Sequence, residues 1–211
     1  MAEAMTYTSL FTDIQSYLER GEVTDPDVYA QIPRFIMLAE NRLAVELKVL
    51  GTLKYVTATL TPSVATITKP VRWRETVSIS IVGTSGKQYL FPRNYEFVRA
   101  FWPDPAVTGT PRYYADYDYD HMLIAPTPAT GLTIELCYYE LVQPLDGTNQ
   151  TNWFTDYAPQ ALLYASLYEA MVYLKDDERI VAYQTYLDRA LQGLSGENEK
   201  RKTDRTQDLK T

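Results

Sequence analysis

The chain has 211 residues, which fits one domain or one domain carrying an insertion and suffices to bury a core without staples. Its formal net charge of -7 argues against a protein whose main task is gripping phosphate backbones, because that binding is driven by Lys and Arg. A single cysteine, Cys137, excludes an internal disulfide and fits a reducing compartment, where it reads as a small buried hydrophobe within a strand.

Met1 to Thr8 has no basic region followed by an apolar stretch, and no run of about 18 apolar residues occurs, so neither a secretory signal nor a membrane span is expected. The sequon Asn149-Gln150-Thr151 therefore carries no weight. The first helix is predicted over about Thr8 to Arg20, on Leu10, Phe11, Ile14, Tyr17 and Leu18, with Gly21 as its stop. Asp25 and Pro26 open a second helix with the stripe Val28, Ile32, Phe35, Ile36, Ala39, Leu43 and Leu47. Pro33 predicts a kink or a fresh start within it, and Gly51 its end.

From Thr52 the period changes to two. Tyr55 to Leu60 and Val64 to Thr68 read as strands around a Pro62-Ser63 turn. Glu75 to Val82, with Val77, Ile79 and Ile81 alternating against polar residues, is predicted to form a hairpin with Lys87 to Phe91, one face buried. Pro92 to Trp102 reads as a short helix carrying Tyr95, Phe97, Val98 and Phe101. An aromatic β-meander follows, with strands near Pro111 to Tyr113, Met122 to Pro126 and Leu132 to Tyr139. After Trp153 the period is helical again. Asp156 or Thr155 can cap a helix with Pro159 in its first turn and Leu162, Leu163, Ser166, Leu167, Ala170, Met171 and Leu174 on its apolar face. Asp176-Asp177 breaks and recaps the chain. Ile180, Tyr183, Leu187, Leu191 and Leu194 mark a last helix that Gly193 and Gly196 are expected to terminate. The remainder mixes charges and has almost no apolar residues, as a solvated tail does.

Helices at both ends with strands between them predict an α+β fold. In it a bundle of N- and C-terminal helices, residues 1–51 and 153–196, carries an inserted antiparallel β-rich lobe, residues 52–152. Residues 197–211 are expected to be a flexible C-terminal tail.

Chemistry-bearing motifs are scarce. The single histidine, His121, stands in a turn among Asp116, Asp118 and Asp120, which lack the glycine and terminal glutamate of a calcium loop. No phosphate-binding glycine loop, nucleophile elbow or zinc-protease helix is present. Glu135 and Glu140 are the best carboxylate pair for glycosidase chemistry, but neither has the apolar surroundings that would raise one partner's pKa, and alternation puts Glu135 on the solvent side of its strand. No catalytic, cofactor-binding or metal-binding residue is assigned, no cofactor is expected, and the chain reads as a non-enzyme. Arg72, Trp73 and Arg74 form a small aromatic and basic patch, read as a strand edge that meets another subunit rather than nucleic acid. Tyr117 and Tyr119 join them as candidates for a subunit or tail interface. Lys200, Arg201, Lys202 and Arg205 are either part of a solvated tail or a segment that orders against an acidic partner.

The order of several segments resembles the head-to-tail adaptor proteins of short-tailed bacteriophages, also called portal-adaptor or tail-tubular proteins. The resemblance rests on the opening Tyr7-Thr8-Ser9-Leu10 and on the stretch from Ile32 to Leu43. Pro111-Arg112-Tyr113-Tyr114, Ile124-Ala125-Pro126-Thr127-Pro128, Tyr138-Tyr139 and Trp153 follow, with Leu162-Leu163-Tyr164, Leu167-Tyr168-Glu169-Ala170 and Leu174 closing the set. It implies a virion protein at the head-to-tail junction, made in the host cytoplasm. Its copies would form a closed, twelvefold ring between the portal protein and the downstream tail or nozzle protein, extending the DNA channel. DNA would pass through the lumen without specific binding, and no membrane is involved. The C-terminal tail would reach the portal, with Lys200, Arg201, Lys202 and Arg205 as its docking residues. The alternative reading is a monomeric carbohydrate- or protein-binding β module of a phage tail.

Overall fold

The computed structural model describes residues 4–47, 50–84 and 86–207, and the chain is α+β. It divides into two compact units, Leu53–Leu141 and a helical unit formed by Met1–Thr52 with Val142–Thr211.

In the helical unit, α1 (Tyr7–Leu18) begins at Thr6 with a reciprocal cap: the Thr6 hydroxyl accepts from Ser9 N–H and the Ser9 hydroxyl accepts from Thr6 N–H. Its stop is Glu19, in the left-handed conformation, rather than the expected Gly21. Helix α2 (Pro26–Glu46) is capped by Asp25 and runs through Pro33 as one element, which corrects the expected fresh start. Pro33 is exposed while Ile32, Phe35 and Ile36 around it are buried. Burial of the stripe outweighs a cost of about 3 kcal/mol. The helix ends at Glu46 because Leu47 turns to an extended conformation, and Gly51 lies beyond it in a short 3-10 turn, Leu50–Thr52.

Helix α4 (Trp153–Tyr157) is capped by Asn152, whose Oδ1 accepts from the N–H groups of Phe154 and Thr155. Helix α5 (Pro159–Leu174) follows with proline in its first turn and no side-chain cap, so neither Thr155 nor Asp156 caps it. Helix α6 (Asp177–Gln207) then runs for 31 residues. Gly193 and Gly196 do not terminate it, and the expected tail continues as helix to Gln207; nothing lies within 4 Å of a Cβ added at either glycine. Each glycine costs a helix interior roughly 1 kcal/mol, too little to stop one already nucleated. Leu10, Ile36, Leu43, Phe154, Leu162, Leu167 and Leu187 share one apolar cluster drawn from α1, α2, α4, α5 and α6.

The second unit is built on a seven-stranded mixed sheet in the order β1-β9-β3-β4-β6-β7-β2. Its strands are β1 (Leu53–Thr59), β2 (Thr66–Thr68), β3 (Trp73–Gly83), β4 (Gly86–Pro92), β6 (Tyr113–Asp116), β7 (His121–Ala125) and β9 (Thr133–Glu140). The expected antiparallel lobe is corrected in two respects. Strands β4 and β6 pair in parallel, because the crossover between them contains helix α3 (Tyr95–Phe101) and a proline-marked loop long enough to bring the chain back to the same end. The two short strands β5 (Thr108–Gly109) and β8 (Thr127–Pro128) also pair in parallel. The meander is broken as well: β6 and β7 are neighbours, but β9 lies between β1 and β3. Ile134, Leu136, Cys137 and Tyr138 are all buried, and such a strand belongs inside a sheet.

The β3–β4 hairpin forms in the expected place. Its alternation is interrupted by a register shift between Thr76 and Ser78, and Val77 is exposed while Ile79, Ser80 and Ile81 are buried. Residues 142–152, expected in the lobe, group with the helices instead. Leu145 packs into the helical core and the segment is hydrogen-bonded to α1 and α2.

Candidate interaction surfaces

Among the described residues no group of three or more His, Cys, Asp or Glu side chains could hold a metal ion, and no helix is long and apolar enough to cross a membrane. Glu135 and Glu140 lie five residues apart on β9 and so point to opposite faces, Glu135 paired with Lys87 and Glu140 with Arg72. That placement leaves them unable to flank one bond. His121 opens β7, and its Nδ1 lies 2.9 Å from Asp118 Oδ1, which also accepts from the N–H groups of Asp120 and His121. The imidazole therefore belongs to the turn. Cys137 is buried, opposite Tyr55 and Ser78.

Within the tripeptide Arg72-Trp73-Arg74, Arg72 and Trp73 are engaged within their own unit. Arg72 has a positive φ of 61°, and its guanidinium lies 3.1 Å from Glu140 Oε1. Trp73 donates its indole N–H to Thr76 Oγ1 at 3.0 Å, and the Lys69 ammonium sits 4.2 Å from the centroid of its ring. Lys69, which sequence reasoning passed over, is buried and also meets Asp116 Oδ1 at 2.5 Å and the carbonyl of Asp118 at 2.6 Å. One ammonium thus ties the start of β3 to the β6–β7 turn. A lysine between threonine and proline carries no sequence signal of such a role.

Tyr117 and Tyr119 are both exposed, Tyr119 at 91%. Tyr117 lies 5.9 Å from the ring of Tyr95 on α3, within a patch of rings that the sequence presented only as a short apolar helix. Phe97 and Phe101 stack in parallel at 6.2 Å, and both meet Tyr113 edge-on, at 5.5 and 4.9 Å. Two arginines lie across these rings: Arg93 over Phe97 and Tyr113, and Arg99 over Tyr95 and Tyr117. Asn94 caps α3 by accepting from Phe97 N–H, and Val98, buried, anchors the helix against β6 and β7. The fold thereby turns one residue of α3 inward and leaves its aromatic side chains outward.

Of the basic residues near the C-terminus, Lys200 is exposed on α6. Arg201, Lys202 and Arg205 fall in the same helix, where their side chains lie outside the described residues.

In the helical unit, the buried polar centre is Glu40 on α2. Its carboxylate accepts from Leu145 N–H at 3.2 Å and from Asn152 Nδ2 at 2.6 Å. Burial pushes its pKa up to about 7, against these hydrogen bonds, and the nearby Asp146 carboxylate adds to the rise. Asn152 donates to the carbonyl of Gln143 as well. Gln150 accepts from the backbone N–H groups of Tyr7 and Thr8, through its carbonyl and its side chain respectively. These contacts hold 142–152 against α1 and α2.

The family model described as SU10 adaptor protein matches residues 5–209 of the chain. No curated protein matches it.

Proposed function

The chain belongs to the SU10 adaptor protein family, and from that premise we propose that it is the structural adaptor joining a phage portal to the tail. Its copies form a closed dodecameric ring at the head-to-tail junction that extends the DNA channel and offers the next tail component, a nozzle protein, its platform. The bundle of terminal helices is the body of each subunit and the lobe is its insertion. No step of this role calls for catalysis.

The observation that carries the portal contact is the discrepancy between where α6 packs and where it ends. Leu187 is buried, Leu191 and Leu194 are partly buried, and from Ser195 through Lys200 the described side chains are exposed, yet the helix continues to Gln207. About 13 residues, or roughly 20 Å of helix, therefore extend past the last apolar contact. A helix with no apolar face of its own is marginal unless something else covers it. Its basic positions, Lys200, Arg201, Lys202 and Arg205, suit carboxylates on a portal.

The charge distribution supports passage of DNA without capture. Residues 1–52 and 142–211 hold 12 basic against 19 acidic side chains, whereas 53–141 hold eight of each, so the whole net charge of -7 belongs to the helical unit. A surface of that sign releases few counterions from DNA and makes no contacts that sliding must break.

Truncation after Gly196 tests the reading. The shortened chain is expected to keep its melting temperature within about 2 °C, since no core residue is removed, and to lose attachment to portal-bearing particles. Full attachment of the truncated chain would remove the docking role from the helix. Absence of the full-length chain from purified particles would remove the adaptor role itself.

A further inference from the structure

The patch on α3 and its neighbouring strands is not accounted for by the portal contact. Phe91, Tyr95, Phe97 and Phe101 are between 40 and 59% exposed, and rings gathered in this way mark an interaction surface. Arg93 and Arg99 lie over them, and neither makes an ion pair with a carboxylate among the described residues. Their guanidiniums are oriented by the rings and by a bond from Arg99 Nε to the Tyr95 hydroxyl, 3.2 Å, so binding a carboxylate costs them little further order. The unit that carries them is neutral, and the opposite charge sits on the other unit of the chain.

That charge is concentrated at one end of the helical unit. The α1–α2 connection and the α5–α6 connection line a common cleft, with Leu18, Arg20, Leu174 and Arg179 among its walls. Residues 19–27 and 175–179 together contain seven acidic side chains against three basic. Two of the basic ones are already used: Arg20 pairs with Asp25, and Arg179 with Asp176 at 3.5 Å. In the same connection Val23 is 96% exposed, an apolar contact for an aromatic surface.

We propose that the arginine-aromatic patch of one copy binds the acidic end of the helical unit of a second copy. The two surfaces are different, so the contact is heterologous, and repeating it around an axis closes a ring. Aromatic rings and arginines supply the anchors that such interfaces concentrate, and the carboxylates supply the partner's complementary field. The proposal rests on the ring reading above and names the surface by which neighbouring subunits meet.

The test places benzoylphenylalanine at position 97 of the full chain in phage-producing cells and irradiates them. The expected product is a dimer of this chain whose cross-linked peptide contains residues 19–27 or 175–179. Cross-linking only to another protein, only to other parts of the chain, or to nothing would overturn the proposal. Arg93→Glu with Arg99→Glu should lower the dimer yield at least tenfold. Adding Glu22→Arg and Glu178→Arg to the same chain should restore most of it, a recovery that damage to the fold would not give. Unchanged yield in the first variant, or no recovery in the second, would count equally against it. The dimer is read in the lysate, whereas the adaptor role is read from the presence of the chain in purified particles, so either can fail alone.

Discussion

Asn152 donates to Glu40 across 2.6 Å, joining positions 112 residues apart, while its side-chain oxygen caps α4. One amide thereby fixes both where the chain returns from its strands and where the next helix begins. Glu40 is 6% exposed, so its ionisation is coupled to that junction.

Stability should depend on pH through this contact. The folded pKa of Glu40, about 7, lies above the ordinary 4.5, so in that interval the folded chain keeps a proton that the unfolded chain has lost. The associated stability is fully present below the lower value and is lost as pH rises through the upper one. Asp25, through hydrogen bonds from Val28 and Arg20, and Asp146, through bonds from Thr148 and Asn149, have lowered pKa values and act oppositely, losing stability as pH falls below the carboxylate range. The melting temperature should therefore peak in mildly acid solution and decline toward pH 8. Glu40→Gln, still an acceptor for Leu145 and Asn152, should flatten that decline. Parallel wild-type and variant curves would exclude Glu40 as its source.

Gly51 is required by its neighbour. A Cβ there would overlap the indole of Trp153 at Nε1 and Cε2. Gly51→Ala should displace the indole and cost about 1–3 kcal/mol in urea unfolding, with a shift in tryptophan emission. In a Trp153→Leu background the same change should cost markedly less, and equal costs in both would mean the two residues do not interact.

Leu167 and Leu187 are fully buried in the helical core. Replacing either by alanine should destabilise by about 2–5 kcal/mol. Val181, 68% exposed on the same helix as Leu187, is the control, and Val181→Ala should change stability by less than about 0.5 kcal/mol. A small effect at Leu187 would mean that α6 does not pack where its stripe places it.

Duplex DNA should bind the purified chain without salt-resistant affinity. Titration by fluorescence anisotropy at low and physiological salt checks this. Tight binding at physiological salt, falling steeply as salt is raised, would favour a nucleic-acid role over passive conduction.

The sequence by itself determined the helices and most strands, because the period of apolar residues is a local property: Leu10, Ile14 and Leu18, or Leu162 and Ser166, are spaced by the helix that carries them. It also carried the resemblance of ordered segments that the family match bears out. Beyond the β3–β4 hairpin, it did not determine which strands pair. β9 passes β7 to lie between β1 and β3 because Ile134, Leu136 and Tyr138 gain burial there, and β4 meets β6 in parallel because of a crossover that only the folded chain can place. Stopping signals failed at Pro33, where burial of the stripe outweighed the cost, and at Gly193, whose penalty is too small to end a nucleated helix. The surfaces followed the same division. Arg72 and Trp73 read in the sequence as an edge that meets another subunit, and their partners Glu140 and Lys69 are brought to them by the fold. The rings of α3 read only as part of a short helix, and the fold turns Val98 of that helix inward and leaves the rings out. A side chain's neighbours across a sheet, unlike its neighbours along a helix, are set by contacts distant in sequence, and on those the local pattern is silent.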